Sequence, residues 1–416
     1  MHMSDSKKVA IIGTVGLPAC YGGFETLTAY LVKHLHEQHE LTVYCSGKAY
    51  PRAGRRRHYE GARLVYLPLS ANGVQSILYD CLSILHAVFY ADVLLVLGVP
   101  GAFMLPFVRW FTNKKILVSI DGIEWRRAKW SRMARWFLRM SENIAVRYSH
   151  ADISDNDAIQ NYTARAYSTK SSVIEYGGDH ARKQPITEAA RDEYPFLTRP
   201  YAFKVCRIEP ENNVHLVLEA FAGLPSYLFV IVGNWQHSDY GRQLRATYDT
   251  DAYPNLYLLD PIYEQNRLDL LRGNCAVYVH GHSAGGTNPS LVEAMSLGLP
   301  VLAFHASFNK ATTEHKAVYF ATKAELQERI LSTSIGYWWA LGEQMKTVAD
   351  RRYNWAVIAR KYDYLIRKVS AAAPYQAKGG LHCQLSQLPP AELVQHQLGQ
   401  YAALNMFYED EAEDGR

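Results

Sequence analysis

The chain has 416 residues, 48% of them hydrophobic and 20% charged, with a formal charge of +4. That composition excludes a disordered or fibrous chain and leaves length for two domains, each with its own core. The charge is unevenly divided: residues 1–180 carry 21 Lys and Arg against 15 Asp and Glu, and the remainder 23 against 25, so the first half is the one suited to an anionic partner.

Short β-branched runs alternate with longer helical patterns from the first strand onward. Strands are expected at Val9–Thr14, Leu41–Cys45, Leu64–Leu67, Val93–Leu97, Ile116–Ile120 and Val173–Tyr176, and the alternation predicts a parallel sheet covered by helices on both faces. The longest apolar stretch, Val93–Val108, is broken by Gly98, Pro100, Gly101 and Pro106. It is shorter than the roughly 20 residues that span a bilayer, so no transmembrane segment is expected. From Ala181 to Pro200 the pattern lapses into a polar stretch with Pro185, Pro195 and Pro200, the expected interdomain linker. Strands then resume at Phe203–Cys206, Leu228–Gly233, Leu256–Leu259, Ala276–His280 and Val301–Phe304, with helices at Val214–Phe221 and Pro289–Ser296. A last amphipathic pattern carries Trp355, Ile358, Ala359, Tyr362, Leu365 and Ile366 before an acidic tail. The expected domains are 1–180, 201–345, a helix over 346–370 that crosses back to the first domain, and a tail over 371–416. Six scattered cysteines (Cys20, Cys45, Cys81, Cys206, Cys275 and Cys383) form no CxxC pair, and no cleavable leader precedes Val9, which predicts a reduced, cytoplasmic chain.

The first strand ends in Gly13-Thr14-Val15-Gly16, and Tyr21-Gly22-Gly23-Phe24-Glu25-Thr26 leads into a helix. Glycines there let backbone N–H groups approach a ligand, or simply make a tight strand-to-helix turn. The GxGxxG dinucleotide fingerprint is absent. Asp121, followed by Gly122, closes the strand Ile116–Ile120, so its side chain is placed to project at the strand's carboxyl end or to cap the next helix. Over Arg126–Arg147 basic residues interleave with Trp130, Met133, Trp136, Phe137 and Met140, a pattern of either a packed helix with a solvated basic face or one that rests on an anionic bilayer. No nucleic-acid motif accompanies it. Asp155-Asn156-Asp157 has the residue types of a helix start. The histidines show no metal-ligand spacing, so no essential metal cofactor is expected.

The sharpest element follows strand Ala276–His280: the loop Gly281-His282-Ser283-Ala284-Gly285-Gly286-Thr287-Asn288, then a helix opened by Pro289 and carrying Glu293. Its free amides suit phosphate, and Glu293 is placed to accept bonds from ribose hydroxyls or to complement the helix dipole.

Residues 276–304 resemble the nucleotide-sugar segment of retaining glycosyltransferase family 4. Glu293 matches the second Glu of that family's pattern, and Gly285 stands where the first would be. A subgroup of rhamnosyltransferases is similar at Gly-Gly-Thr-Asn-Pro-Ser-Leu (286–291 preceded by Gly285), at Tyr21–Thr26, at Asp121–Trp130, at Tyr176-Gly177-Gly178-Asp179 and at Arg207-Ile208-Glu209-Pro210-Glu211-Asn212-Asn213. The resemblance runs over about residues 8–370 and implies an α/β chain of the GT-B kind, two Rossmann-like doubly wound domains facing across a cleft. It implies a nucleotide-sugar donor, dTDP-L-rhamnose, and a lipid-linked or oligosaccharide acceptor, joined by front-face transfer with retention. The residues alone do not separate rhamnose from glucose, galactose or N-acetylglucosamine, nor a transferase from an epimerase or a silent sugar-nucleotide sensor. Implied for catalysis are Asp121, Arg207 and Glu293. Implied for the donor are Gly22, Gly23, Arg207, Asn212, Gly285, Gly286, Thr287, Asn288, Ser290 and Glu293, and for the acceptor Tyr21, Phe24, Glu25, Glu124, Tyr176 and Asp179. The family's diphosphate lysine falls on Asn212, which leaves Arg207 and the loop amides to meet the phosphates.

Overall fold

The computed structural model describes residues 6–19, 22–120, 125, 130–167, 169, 171–249 and 251–372. They form two units, one of residues up to Tyr176 together with Trp355 onward, the other of Gly177–Asn354.

In the first unit the strands are β1 (Lys8–Ile12), β2 (Glu40–Ser46), β3 (His58–Tyr59), β4 (Ala62–Leu67), β5 (Val93–Leu97), β6 (Lys115–Ile120), β7 (Ala151–Ser154) and β8 (Ser172–Val173). They lie in the order β3-β4-β2-β1-β5-β6-β7-β8, parallel except for the short β3-β4 pairing. β1, β5 and β6 are buried along nearly their whole length, which is why they read as continuous apolar runs. Their cover is α1 (Gly23–Leu35), α2 (Gln75–Ala87), α3 (Leu105–Phe111), α4 (Arg132–Tyr148), α5 (Asp157–Tyr167) and a helix from the end of the chain.

The second unit has α6 (Glu188–Glu193), β9 (Tyr201–Val205), α7 (Val214–Ala222), β10 (Leu228–Val232), α8 (Asp239–Thr247), β11 (Leu256–Leu259), α9 (Gln265–Gly273), β12 (Val277–His280), α10 (Pro289–Ser296), β13 (Val301–Phe304), α11 (Ser307–Thr312), β14 (Val318–Phe320), α12 (Lys323–Ser332) and α13 (Ile335–Arg352). Its sheet runs β11-β10-β9-β12-β13-β14, all parallel. Phe203, Phe221, Phe229, Trp235 and Leu302 are almost wholly buried there. Strand order reverses between β1 and β5 in one sheet and between β9 and β12 in the other, and ligands of such sheets bind beyond the carboxyl ends of strands at that reversal.

α14 (Trp355–Ala371) returns the chain to the first unit. Its Trp355 ring stacks on Tyr30 at 4.5 Å, His39 Nε2 meets Asp363 at 2.8 Å, and Lys361 Nζ donates to Glu175 at 2.6 Å with both side chains fully buried. The six residues of the expected amphipathic stripe are all buried.

Three expectations need correction. The stretch 181–200 is no linker: Arg182 N donates to Asp269, Asn274 donates to the Gln184 carbonyl, and Arg267 pairs with Glu193 and bonds Tyr194, so α9 holds it within the second unit. The helix expected over 346–370 is two, since α13 ends at Arg352 and α14 starts at Trp355. The strands β3, β7 and β14 escaped notice; β3 has two residues, and β7 has only four and carries the polar Asp152 and Ser154.

Candidate functional site

In the second unit the loop after β12 leads into the start of α10. Gly285 has φ +141, a conformation that L side chains rarely adopt. Asn288 then caps α10: its Oδ1 accepts from Ser290 N at 3.0 Å and from Ser290 Oγ at 2.6 Å, and Pro289 follows at a position where its missing N–H costs nothing. The helix thus starts with the positive end of its dipole at the end of β12, its Leu291 and Val292 amides donating to the Asn288 carbonyl. Thr287 is buried, whereas Gly286, Asn288 and Ser290 are partly exposed.

Glu293 lies one turn into α10. Its Oε1 meets His180 Nε2 at 2.9 Å, and its other oxygen accepts from Arg272, whose second nitrogen bonds Asp269 at 2.6 Å. Burial alone would raise Glu293, but the Arg272 charge and the His180 hydrogen bond hold its carboxyl below the usual range. Asp269 and Arg272 are themselves nearly inaccessible. The helix-dipole reading of Glu293 therefore gives way to a carboxylate fixed between two side chains that no motif singled out. His180 directly follows the Tyr176–Asp179 motif, which was the available signal for it. Arg272 gave none beyond its spacing from Asp269. Gly178 explains that motif's shape, because a Cβ there would sit 2.5 Å from the Val292 carbonyl of α10.

Arg207 follows β9 with its side chain 42% exposed and its Nε 3.8 Å from Glu209. Asn212 is buried and donates to the Arg207 carbonyl at 2.7 Å. Its amide therefore braces the Arg207 loop and is not held out as a cation would be. The structure brings Arg207, Asn212, Gly285, Gly286, Thr287, Asn288, Ser290 and Glu293 to the carboxyl ends of β9 and β12 in one unit.

In the first unit, Glu25 is buried and accepts from Val15 N at 2.7 Å and from Thr14 Oγ1 at 3.1 Å. These bonds fold the loop after β1. Gly22, with φ +140, precedes α1, and a Cβ there would lie 1.8 Å from a Glu25 oxygen. Gly23 and Phe24 open α1 and are partly exposed. Tyr176 is buried at the end of the first unit, and Asp179 is exposed in the second. Tyr21, Asp121 and Glu124 lie outside the described residues. Asn156 Oδ1 accepts from Ala158 N at 2.8 Å, the expected helix start. Among the described residues no cluster of three or more His, Cys, Asp or Glu side chains is arranged to hold a metal.

Residues 186–337 match the family model described as glycosyl transferases group 1, on the segment that holds the β12-α10 loop and Glu293. The fold is GT-B and the chain is a glycosyltransferase. Residues 6–179 match the model described as a domain of unknown function (DUF1972). Sucrose-phosphate synthase from Thermosynechococcus elongatus superposes with a TM-score of 0.75 at 17% identity, over 88% of this chain and all of the other. The Anabaena protein HepE in complex with UDP-glucose gives 0.68 at 16% over 86% and 99%. The catalytic domain of starch synthase IV from Arabidopsis thaliana, bound to ADP and acarbose, gives 0.67 at 12% over 88% and 100%. No curated protein matches by sequence.

Proposed function

We propose that the chain transfers L-rhamnose from dTDP-L-rhamnose to a lipid-linked saccharide in surface polysaccharide assembly, with retention of configuration. The observation that carries this reading is the β12-α10 loop. The start of α10 and Arg207, on the loop that Ser283 ties to it, offer positive charge, and one turn on Glu293 offers a carboxylate held by Arg272 and His180. That combination suits a nucleoside diphosphate, its phosphates at Gly286–Ser290 and its sugar hydroxyls, the 3′-hydroxyl alone in dTDP, on Glu293. The HepE complex with UDP-glucose supports a nucleotide-sugar donor on this fold. Catalysis would rest on positioning and on stabilising the leaving diphosphate, which itself helps take the acceptor proton. Asp121, Gly22, Gly23 and Phe24 are assigned to the sugar and acceptor end. Tyr21, Glu124, Tyr176 and Asp179 are kept as acceptor candidates, and Glu25 is given the task of shaping the loop.

Rhamnose is favoured by the subgroup resemblance and by Gly285. A Cβ at Gly285 would meet nothing within 4 Å, so this position offers room where related chains place a hydrogen-bonding carboxylate, and a 6-deoxy sugar has one hydroxyl fewer to satisfy. The test offers dTDP-rhamnose, UDP-glucose, UDP-galactose and UDP-N-acetylglucosamine with a lipid-diphosphate-linked N-acetylglucosamine analogue and reads the product by mass spectrometry. A deoxyhexose increment is expected. Transfer of a hexose alone would remove rhamnose, and sugar conversion without acceptor would turn the reading to an epimerase.

A membrane-borne acceptor is supported by the surface of the first unit. Leu78, Leu82 and Leu85 recur along α2, Phe107, Trp110 and Phe111 stand out from α3, and Met133 and Trp136 from α4, all exposed, with Arg132 and Arg139 exposed beside them. Apolar side chains rimmed by cations suit an anionic bilayer, with each nearby cation adding about 1 kcal/mol. No described helix is long and apolar enough to cross a membrane. The chain is expected to float with anionic vesicles at low salt and less so at high salt, and Trp110→Ser with Trp136→Ser is expected to abolish flotation. Absence of binding at low salt would leave α4 as a packed helix and point to a water-borne acceptor.

A further inference from the structure

β9 and β12 are the two strands at which the second sheet reverses its order, and each sends a buried, nitrogen-bearing side chain toward its carboxyl end. Lys204, next to last in β9, is completely buried, and its Nζ has no hydrogen-bond partner. His280, last in β12, is also completely buried, and neither ring nitrogen has a partner. Its ring stacks on His282 at 4.3 Å. A Cβ on Gly281 would lie 2.9 Å from Lys204 Nζ and 2.5 Å from the Asn212 carbonyl oxygen, so the amine sits directly beneath the loops that follow both strands. Those loops are laced together above it. Asn213 donates to the Gly281 carbonyl at 2.9 Å, and Ser283 donates to the Glu211 carbonyl through N at 2.8 Å and Oγ at 2.9 Å. One loop carries Arg207, and the other runs on to Gly285–Ser290.

A buried amine without a partner is a standing cost in the empty protein. Building on the proposed donor site, we infer that Lys204 supplies a cation to it from beneath the laced loops, as a positioning residue that takes up a proton when a nucleoside diphosphate binds and sheds it when the site empties.

Burial pushes Lys204 below the usual lysine range. The other groups around it leave room for that change. His280 on β12 is held well below the usual histidine range by burial and then by Lys204 itself, so it stays neutral. Burial pushes the Cys206 thiol up, which keeps it uncharged. His282 lies on the loop after β12. On the loop after β9, Arg207 is the nearest permanent cation, with Glu209 beside it and Glu211 farther along. A diphosphate brought to the end of that loop raises the proton affinity of the amine beneath Gly281, because low-dielectric surroundings carry that interaction further than water would. The linkage has a definite sign: the bound-state pKa is the higher one, so affinity for the diphosphate falls as pH rises through the lysine range, while affinity for the uncharged nucleoside stays level.

Calorimetry on the full chain tests this with dTDP, UDP and thymidine, in two buffers of different ionisation enthalpy, on the natural protein and on Lys204→Met and Lys204→Gln. The natural protein should take up a fraction of a proton per dTDP, growing with pH between about 7 and 9, and none with thymidine. Lys204→Met should take up none and should bind dTDP about tenfold more weakly, with thymidine affinity unchanged and with a melting temperature for the empty protein no lower than that of the natural chain. Equal dTDP affinity in natural protein and variants, or an equal loss for dTDP and thymidine, overturns the inference while leaving the donor site standing. Should neither variant fold, proton uptake by the natural protein decides, and binding of dTDP without uptake overturns it. Failure of the natural chain to bind either diphosphate removes the donor-site reading itself and this inference with it.

Discussion

Glu293→Ala is expected to weaken UDP binding more than tenfold. Two ribose hydroxyls donating to a largely buried carboxylate are worth about 1.5–3 kcal/mol. dTDP lacks the 2′-hydroxyl, so its loss should be the smaller of the two, and calorimetry with both nucleotides reads the difference. The variant also deprives Arg272, fully buried, of one of its two carboxylates, so a fall in the melting temperature of the second unit should accompany the change. Binding is therefore compared at a temperature where circular dichroism shows the variant folded. Because Arg272 and His180 hold the carboxyl below its usual range, its contribution to folding is present above about pH 4.3 and is lost as pH falls through the lower folded value. UDP affinity unchanged in Glu293→Ala would take Glu293 out of the site and leave it a structural anchor for Arg272.

The second large effect is on stability. Lys361→Met removes the ammonium from a pair in which both side chains are fully buried, and leaving one charge of such a pair behind costs about 3–5 kcal/mol. Thermal unfolding should drop by on the order of 10 °C. Combining Lys361→Met with Glu175→Leu should recover much of the loss, because two apolar groups can replace a buried ion pair with little penalty. A single variant within 1 °C of the natural protein would show that α14 is held by its apolar face alone.

Most of the strands and the bounds of α10 were legible in the sequence because parallel strands covered on both faces are apolar throughout and because Asn288-Pro289 announces a helix start. Gly285 and Gly22 were legible as special backbone, but their reasons differ. Gly285 turns a loop, whereas Gly22 makes way for the Glu25 carboxylate. That carboxylate looked like an acceptor ligand because nothing in a linear string shows that it bends back to Val15 N. The 181–200 stretch has the prolines and polarity of a linker, and what ties it down lies 87 and 90 residues away, on α9 and just past its end. Arg272 and His180 were invisible for the same reason: Glu293 meets one from 21 residues away and the other from 113. Lys204 was read as an ordinary strand residue, since only the three-dimensional placement of Gly281 and Asn212 over it sets it apart.

The return of α14 also sets the order in which the chain can mature during synthesis. Residues up to Tyr176 leave the ribosome before the helix that covers their sheet exists, and the whole of Gly177–Asn354 must be made in between. At ordinary elongation rates that interval is roughly 10–40 s, during which Glu175 waits without Lys361 and Tyr30 without Trp355. The second unit has no such delay. Its two ends are joined by a hydrogen bond from Gly178 N to the Tyr353 carbonyl at 2.8 Å, so it closes on itself once Tyr353 has emerged. The nascent chain thus completes its middle before its beginning, and a chaperone that shields apolar surface has its work set by the length of the inserted unit.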